Sequence, residues 1–194
     1  MPAAASGARD GRPIDLALFH KPVGVQSTVG DPYGRPSLTT VAGDLLDAGL
    51  HPVGRLDAET DGLLLFARDG AVTQHLLHPK RAVPRVYVAT VSPPPDPVAL
   101  AARFAAGVST SEGTFTADLR ACDGDRVTLA VTEGRHRMVR RMLANAGHPV
   151  TKLRRIAFGA FELGDLPPGA WREPNDGERA WLEQNMRARR RRGA

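Results

Sequence analysis

Residues 84–91, PRVYVATV, repeat with a period of two: Val86, Val88 and Thr90 fall on one side, and Tyr87, Ala89 and Val91 on the other. That alternation predicts a strand with two different faces. Its neighbours narrow the fold. IDLALFHKP (14–22) reads as a buried strand ended by Pro22, and GLLLFARD (62–69) as a short apolar one. TFTADLRAC (114–122), the turn DGD and RVTLAVTEG (126–134) predict a hairpin. VTKLRRIAFGAFEL (150–163) is extended with a break at Gly159, and STVGDPYGRPSL (27–38) is an extended loop rich in turn residues.

Helices fall irregularly among these strands. Ser37 caps one that ends at Gly49, and Asp69 caps GAVTQHLLHP, where Val72, Leu76 and Leu77 share a face. Asp96 and Pro97 suit the N-cap and first position of VALAARFAAG. HRMVRRMLANAGHP (136–149) carries stop signals at Gly147 and Pro149, and DGERAWLEQNMRARRRR (176–192) is a capped helix at the end. Because strands and helices do not take regular turns, the fold class expected is α+β, with a mixed, largely antiparallel central sheet flanked by helices. Nothing isolates an independent domain; SPPPDP (92–97) marks where a two-lobed body would divide.

At 194 residues the chain suits one substantial domain or two small lobes sharing a core. Cys122 is the only cysteine, which excludes an internal disulfide and any cysteine-clustered zinc or iron–sulfur site. No secretory core precedes residue 14, and no apolar run approaches the roughly 18 residues of a membrane span, so a cytoplasmic protein is expected. Residues 1–13 are small and polar, which predicts disorder. Of the 26 Lys and Arg, five lie in the last eight residues; without them the bases equal the 21 acids. The excess positive charge is thus a tail (186–194), and the rest of the chain, whose folded body is expected over 14–185, is formally neutral. Such a tail suits a polyanion, or simply keeps the terminus solvated.

Several chemistries lack their motifs. There is no G-x-x-x-x-G-K-[ST] or G-x-G-x-x-G loop, no G-x-S-x-G elbow and no H-E-x-x-H. His75 and His78 lie three apart without an obvious third ligand, so they read as surface or capping residues, and no metal is expected.

Two segments invite a functional reading beside a structural one. In GRLDAETDGLLLF (54–66), Asp57 stands behind Arg55 and before an apolar run. It is either a turn residue or a carboxylate set at the edge of an apolar wall. Glu59 makes a poor glycosidase-type partner for it, because i and i+2 diverge. In TEGRHRMVRRMLANAGHPV (132–150), Val139, Met142, Leu143 and Ala146 form an apolar stripe, and Arg137, Arg140 and Arg141 crowd the adjoining faces. Like charges this dense destabilise an isolated helix. Either an anion or an acid partner offsets them, or their aliphatic stems pack on the protein and their charges stay solvated.

Together, KPVGV (21–25), GRLDAETDGLLLFARDG (54–70), RVYV (85–88) and EGRHRMVRRMLANAGHPVTKLRRIAFGAF (133–161) resemble, in this order, the motifs of RsuA-type pseudouridine synthases, which act on ribosomal RNA. The resemblance runs from about Leu16 to Trp171. It implies a pseudouridine synthase fold with the cleft across the sheet, no cofactor, and Asp57 as the essential carboxylate. It further implies Arg140 as the base paired with Asp57, Tyr87 packing on the uracil, Arg55 holding the place of the flipped nucleotide, and Val139 lining the base pocket. Lys21, Arg135, Arg137, Arg141, Lys152, Arg154 and Arg155 are the basic residues expected to meet the RNA backbone. Arg137 and Met138 stand where many relatives read His-Gln, and with 13 residues before the first expected strand, no N-terminal RNA-binding module of the S4 type is expected.

The chemistry suits these residue types. Uridine becomes pseudouridine when the N1–C1′ bond breaks, the base turns and C5 rejoins C1′, with no redox step or energy source. A carboxylate near C1′ and C6 is required; whether it attacks the sugar, adds to the ring or removes a sugar proton stays open. A half-desolvated carboxylate stays ionised only beside a cation, and a guanidinium within roughly 4–6 Å serves. Tyr87 on its strand either stacks on a flipped base or packs in the core with its hydroxyl at the rim. The expected partner is ribosomal RNA or a pre-ribosomal particle, bound by a monomer without membrane contact. Large-subunit RNA is favoured by family analogy. The rival readings are a non-catalytic RNA-binding or ribosome-assembly factor with the same fold, and a glycoside or nucleoside hydrolase.

Overall fold

A computed structural model describes residues 15–192, with side chains described to Arg187; the N-terminal segment expected to be disordered and the side chains of the arginines beyond 187 lie outside the described residues. The strands are β1 (Leu16–Lys21), β2 (His51–Pro52), β3 (Thr60–Ala67), β4 (Arg85–Val91), β5 (Val108–Thr110), β6 (Gly113–Phe115), β7 (Asp118–Asp123), β8 (Arg126–Val131), β9 (Val150–Phe158), β10 (Phe161–Glu162) and β11 (Trp171–Arg172). The helices are α1 (Leu38–Val41), α2 (Gly43–Asp47), α3 (Gly70–Leu77), α4 (Pro97–Ala106), α5 (Met138–Asn145) and α6 (Asp176–Arg192). A nine-stranded sheet runs β11-β1-β3-β9-β4-β8-β7, with β10 beside β9 and β2 beside β3. Only β3 and β9 pair in parallel; every other pair is antiparallel. This is the mixed α+β architecture expected. Strands from both sides of the 92–97 linker share the one sheet.

The apolar run of β3 is continuous because the strand is covered on both faces. Leu64 and Phe66 enter the larger core cluster with Phe19, Tyr87, Leu129, Met142 and Leu153. Leu63, Leu65 and Ala67 enter the second with Leu18, Leu76, Phe158 and Phe161. Where β3 crosses β9, Gly62 has φ +109°, and a Cβ there would lie 2.2 Å from the Arg155 carbonyl oxygen. Only glycine allows that approach, and it sets the depth of β9 against β3.

Several boundaries differ from expectation for local reasons. The helix from Ser37 to Gly49 is broken at Ala42 (φ −141°, ψ 32°) into α1 and α2. Residues 113–115 pair with 108–110 in a hairpin of their own, so the β7–β8 hairpin begins at Asp118. The helix α5 starts at Met138, because Arg137 adopts φ +52° and caps it from the left-handed region. Asp69 and Asp96 cap α3 and α4 by accepting from the Ala71 and Ala99 N–H groups. His78 caps the following turn through the Lys80 N–H, whereas His75 is buried rather than on the surface. Among the described residues no helix is long and apolar enough to cross a membrane, and no three His, Cys, Asp or Glu side chains gather as a metal site requires.

Candidate active site

The sheet and the loops around it enclose a cleft of about 450 Å³. Its floor is the sheet face bearing Arg85 and Tyr87 of β4, Val131 of β8, and Leu153 and Arg155 of β9. One wall is 53–57 with Thr60, the other is 132–139, and Leu77 and Pro79 close an end. A pyrimidine nucleoside fits such a volume.

The wall that carries Asp57 is fastened from below. Ser27 donates its hydroxyl to the Leu56 carbonyl at 2.7 Å and accepts the Leu56 N–H at 3.0 Å. The Gly24 N–H donates to the Ala58 carbonyl at 2.7 Å, and the Thr60 N–H turns back to the Asp57 carbonyl at 3.0 Å. Asp57 is thereby both a turn residue and a half-buried carboxylate on the cleft. The two readings of the sequence are compatible, since the turn holds the acid in place.

Arg140 does not make the ion pair with Asp57 that the resemblance implied. Nine per cent exposed, it lies behind the cleft lining and donates Nη2 to the Glu59 carbonyl at 2.9 Å. Its Nε is 3.9 Å from the Glu59 carboxylate and has no hydrogen-bond partner. Burial pushes this guanidinium below its ordinary pKa, and the charge of Glu59, ahead of the more distant Asp57, pulls it back up. The physical reason is reach. From α5 the side chain meets the backbone two residues past Asp57 before it meets the carboxylate, so it braces the turn.

Lys21 requires a second correction. It is fully buried, and its Nζ donates to the Pro22 and Val25 carbonyls at 2.8 Å each, so no phosphate reaches it. Burial pushes its pKa down to about 8, against the opposing pull of Asp61 and Asp57. Its charge therefore sits beneath the Asp57 wall.

The remaining basic residues separate by face. Arg55, Arg135, Arg137 and Arg155 line the cleft, as does Val139. Lys152 and Arg154 do not, because strand alternation turns them opposite to Leu153 and Arg155. Arg154 pairs with Asp61 at 2.7 Å. Arg141 is outside the cleft too, held by Glu112 at 2.7 Å. Glu59 also takes Arg137 at 2.9 Å, and that guanidinium holds its carboxyl below the usual range. Arg55 is exposed at the mouth. Tyr87, 9% exposed, packs in the core and still presents an edge to the cleft.

Sequence reasoning passed over Arg85 and undervalued Glu59. Arg85 had a legible signal, since it lies two residues before Tyr87 and so shares its strand face. Glu59 had none, because its partners are about 80 residues away.

Comparison with known proteins brings four likenesses. A family model described as RNA pseudouridylate synthase matches residues 15–192. The ribosomal large subunit pseudouridine synthase B of Bacillus subtilis is 37% identical over 163 residues, 80% of this chain and 66% of that protein. The ribosomal large subunit pseudouridine synthase E of Xanthomonas campestris is 34% identical over 177 residues, 81% of this chain and 94% of that protein. A crystal structure of a pseudouridylate synthase superposes with TM-score 0.78 at 30% identity, over 87% of this chain and 73% of that one.

Proposed function

Because the chain belongs to the RNA pseudouridylate synthase family, we propose that it isomerises a specific uridine of large-subunit ribosomal RNA to pseudouridine, with Asp57 as the essential carboxylate. The observation that carries this reading is the joint presence of Asp57, Tyr87, Val139 and Arg55 on one cleft of nucleoside size.

The target base leaves its stack at a cost of a few kcal/mol. Tyr87 and Val139, with Leu153, meet the base inside the cleft; one aromatic contact is worth about 1–3 kcal/mol. Arg55, exposed at the mouth, holds the position the base has left, and Arg135 and Arg137 meet the flanking phosphates. Asp57 then acts at the sugar or the ring, and N1–C1′ is exchanged for C5–C1′ within one pocket. Arg140 serves as a positioning residue, because its bond to the Glu59 carbonyl holds the turn that starts at Asp57.

The test is a pseudouridine map of ribosomal RNA from cells whose only copy carries Asp57→Asn. One site, in the large subunit, should revert to uridine, while the purified variant binds the same RNA as tightly as the wild type. An unchanged map would refute the catalytic role of Asp57. A pseudouridine lost from the small-subunit RNA instead would overturn the substrate.

A further inference from the structure

Two guanidiniums on the cleft floor lack a counter-charge. Arg85 and Arg155 are 6% and 3% exposed, and both line the cleft. Neither has an ion pair among the described residues, whereas Arg137, Arg140, Arg141 and Arg154 all do. Arg85 donates Nη1 to the Thr132 carbonyl at 3.0 Å, and Arg155 donates Nε to the Leu63 carbonyl at 2.8 Å. The Arg155 Nη2 is buried with no hydrogen-bond partner at all. The guanidinium carbons of Arg85 and Arg155 lie 4.8 and 5.2 Å from the Phe158 ring centroid, so they crowd one another. Burial, and then the charge of Arg155, push the Arg85 pKa down. A protein that buries two like charges unpaired carries a standing cost, which a negative ligand in the cleft would relieve.

Depth decides which negative group that is. RNA phosphates stay with the strand at the rim, where Arg55 and Arg135 are exposed; only a flipped base descends to the floor. The sheet register supplies a direction. Thr60, at the end of the Asp57 turn, lies opposite Leu153, and Arg155 lies opposite Gly62, two residues farther along. Arg155 is also the cross-strand partner of Tyr87. At about 3.3 Å per residue, Arg155 stands roughly 6–7 Å beyond the acid's end of the floor, and Arg85, opposite Phe158, starts farther along the same direction. That is comparable to the span from C1′ of a uridine to its far carbonyl, O4.

We propose that Arg85 and Arg155 hold the negative charge that develops on the uracil carbonyl edge, chiefly O4, while the glycosidic bond is exchanged. The inference rests on the proposed function and does not depend on how Asp57 acts. If the carboxylate attacks C1′, the N1–C1′ electron pair leaves with the base and spreads onto its carbonyl oxygens. If the carboxylate removes the C2′ proton, the same pair leaves with the base. If it adds to C6, the C5=C6 pair moves through C5 onto O4. On rejoining, the pair forms C5–C1′, C5 gives up its proton and N1 gains one, so nothing is consumed. Preorganised donors aimed at developing charge are the arrangement by which such steps are accelerated.

The experiment is single-turnover conversion of a ribosomal RNA fragment by wild type, Arg155→Met and Arg85→Met. The target is uridine or 5-fluorouridine, and the reaction is followed as loss of the original N1 linkage. Fluorine lets the ring carry negative charge more readily. Each variant should lose about 100-fold on uridine with RNA affinity nearly unchanged, and the loss should shrink to about tenfold or less on 5-fluorouridine. Equal losses on both substrates, as a merely structural role would give, overturn the proposal. So does an affinity loss that vanishes when a neutral methylphosphonate replaces the phosphate beside the target, since the arginines would then be holding a phosphate. Arg85→Met rests on a different backbone anchor, so it keeps the test decisive if Arg155→Met fails to fold. A wild type that converts no uridine removes the proposed function and this inference with it. A working wild type with substrate-independent losses removes the inference alone.

Discussion

The arginines of α5 and those of the cleft floor present opposite electrostatic situations. On α5 and the residue before it, Arg137, Arg140 and Arg141 crowd together, and each has an acid from elsewhere in the fold: Glu59 for the first two and Glu112 for the third. On the floor, Arg85 and Arg155 stand on neighbouring strands with no acid. Density along the chain is therefore a poor guide to which charges are available to a ligand. The crowded set is largely committed within the protein and organises the Asp57 turn, while the sparse set faces the cleft uncompensated.

The largest expected effect tests whether the α5 arginines differ among themselves. Arg140→Met should slow single-turnover conversion by roughly 100-fold, because a small misplacement of a reacting group costs about that much; Arg141→Met, off the cleft, should leave the rate within about twofold. Similar losses in the two variants would erase the distinction between a bracing arginine and a surface one.

A smaller effect concerns the buried cation under the Asp57 wall. Lys21 has its pKa lowered from 10.5 to about 8 by burial. Below pH 8 the amine is charged in both the folded and unfolded states, and the fold bears the cost of burying it. Between about pH 8 and 10.5 the folded protein releases that proton while the unfolded chain keeps it, so stability should rise with pH across this window. The slope is at most ~1.4 kcal/mol per pH unit. Urea melts at successive pH values should show the rise in wild type and not in Lys21→Met; parallel curves would mean that the amine titrates normally.

The smallest effect sharpens the idea of committed charge. Glu59→Gln removes the acid shared by Arg137 and Arg140. Arg137, at the cleft rim, should then meet phosphate without first releasing Glu59. RNA binding should tighten slightly, and its dependence on log salt should steepen by about one charge. An unchanged slope would show that the pair does not compete with RNA.

Local chemistry along the chain determined much of this protein. The alternation of 84–91, the apolar run of 62–67, the caps at Asp69 and Asp96 and the break at Gly159 all depend on neighbours within a few residues, so the strands, most helices and the mixed sheet were legible in advance. So was the cleft membership of Asp57, Tyr87, Arg55 and Val139, through the family resemblance that their motifs carry. What only the tertiary structure decided was the partner of each charge. Lys21 turned inward to two carbonyls, Lys152 and Arg154 took the far face of β9, and Arg140 met Glu59 in place of Asp57. For Arg140 and Arg154 the partners come from 81 and 93 residues away; Lys21 meets carbonyls one and four residues along, and what the sequence leaves unrecorded there is its burial. Coulomb energy and burial depend on distance in space, and a linear sequence does not record that distance.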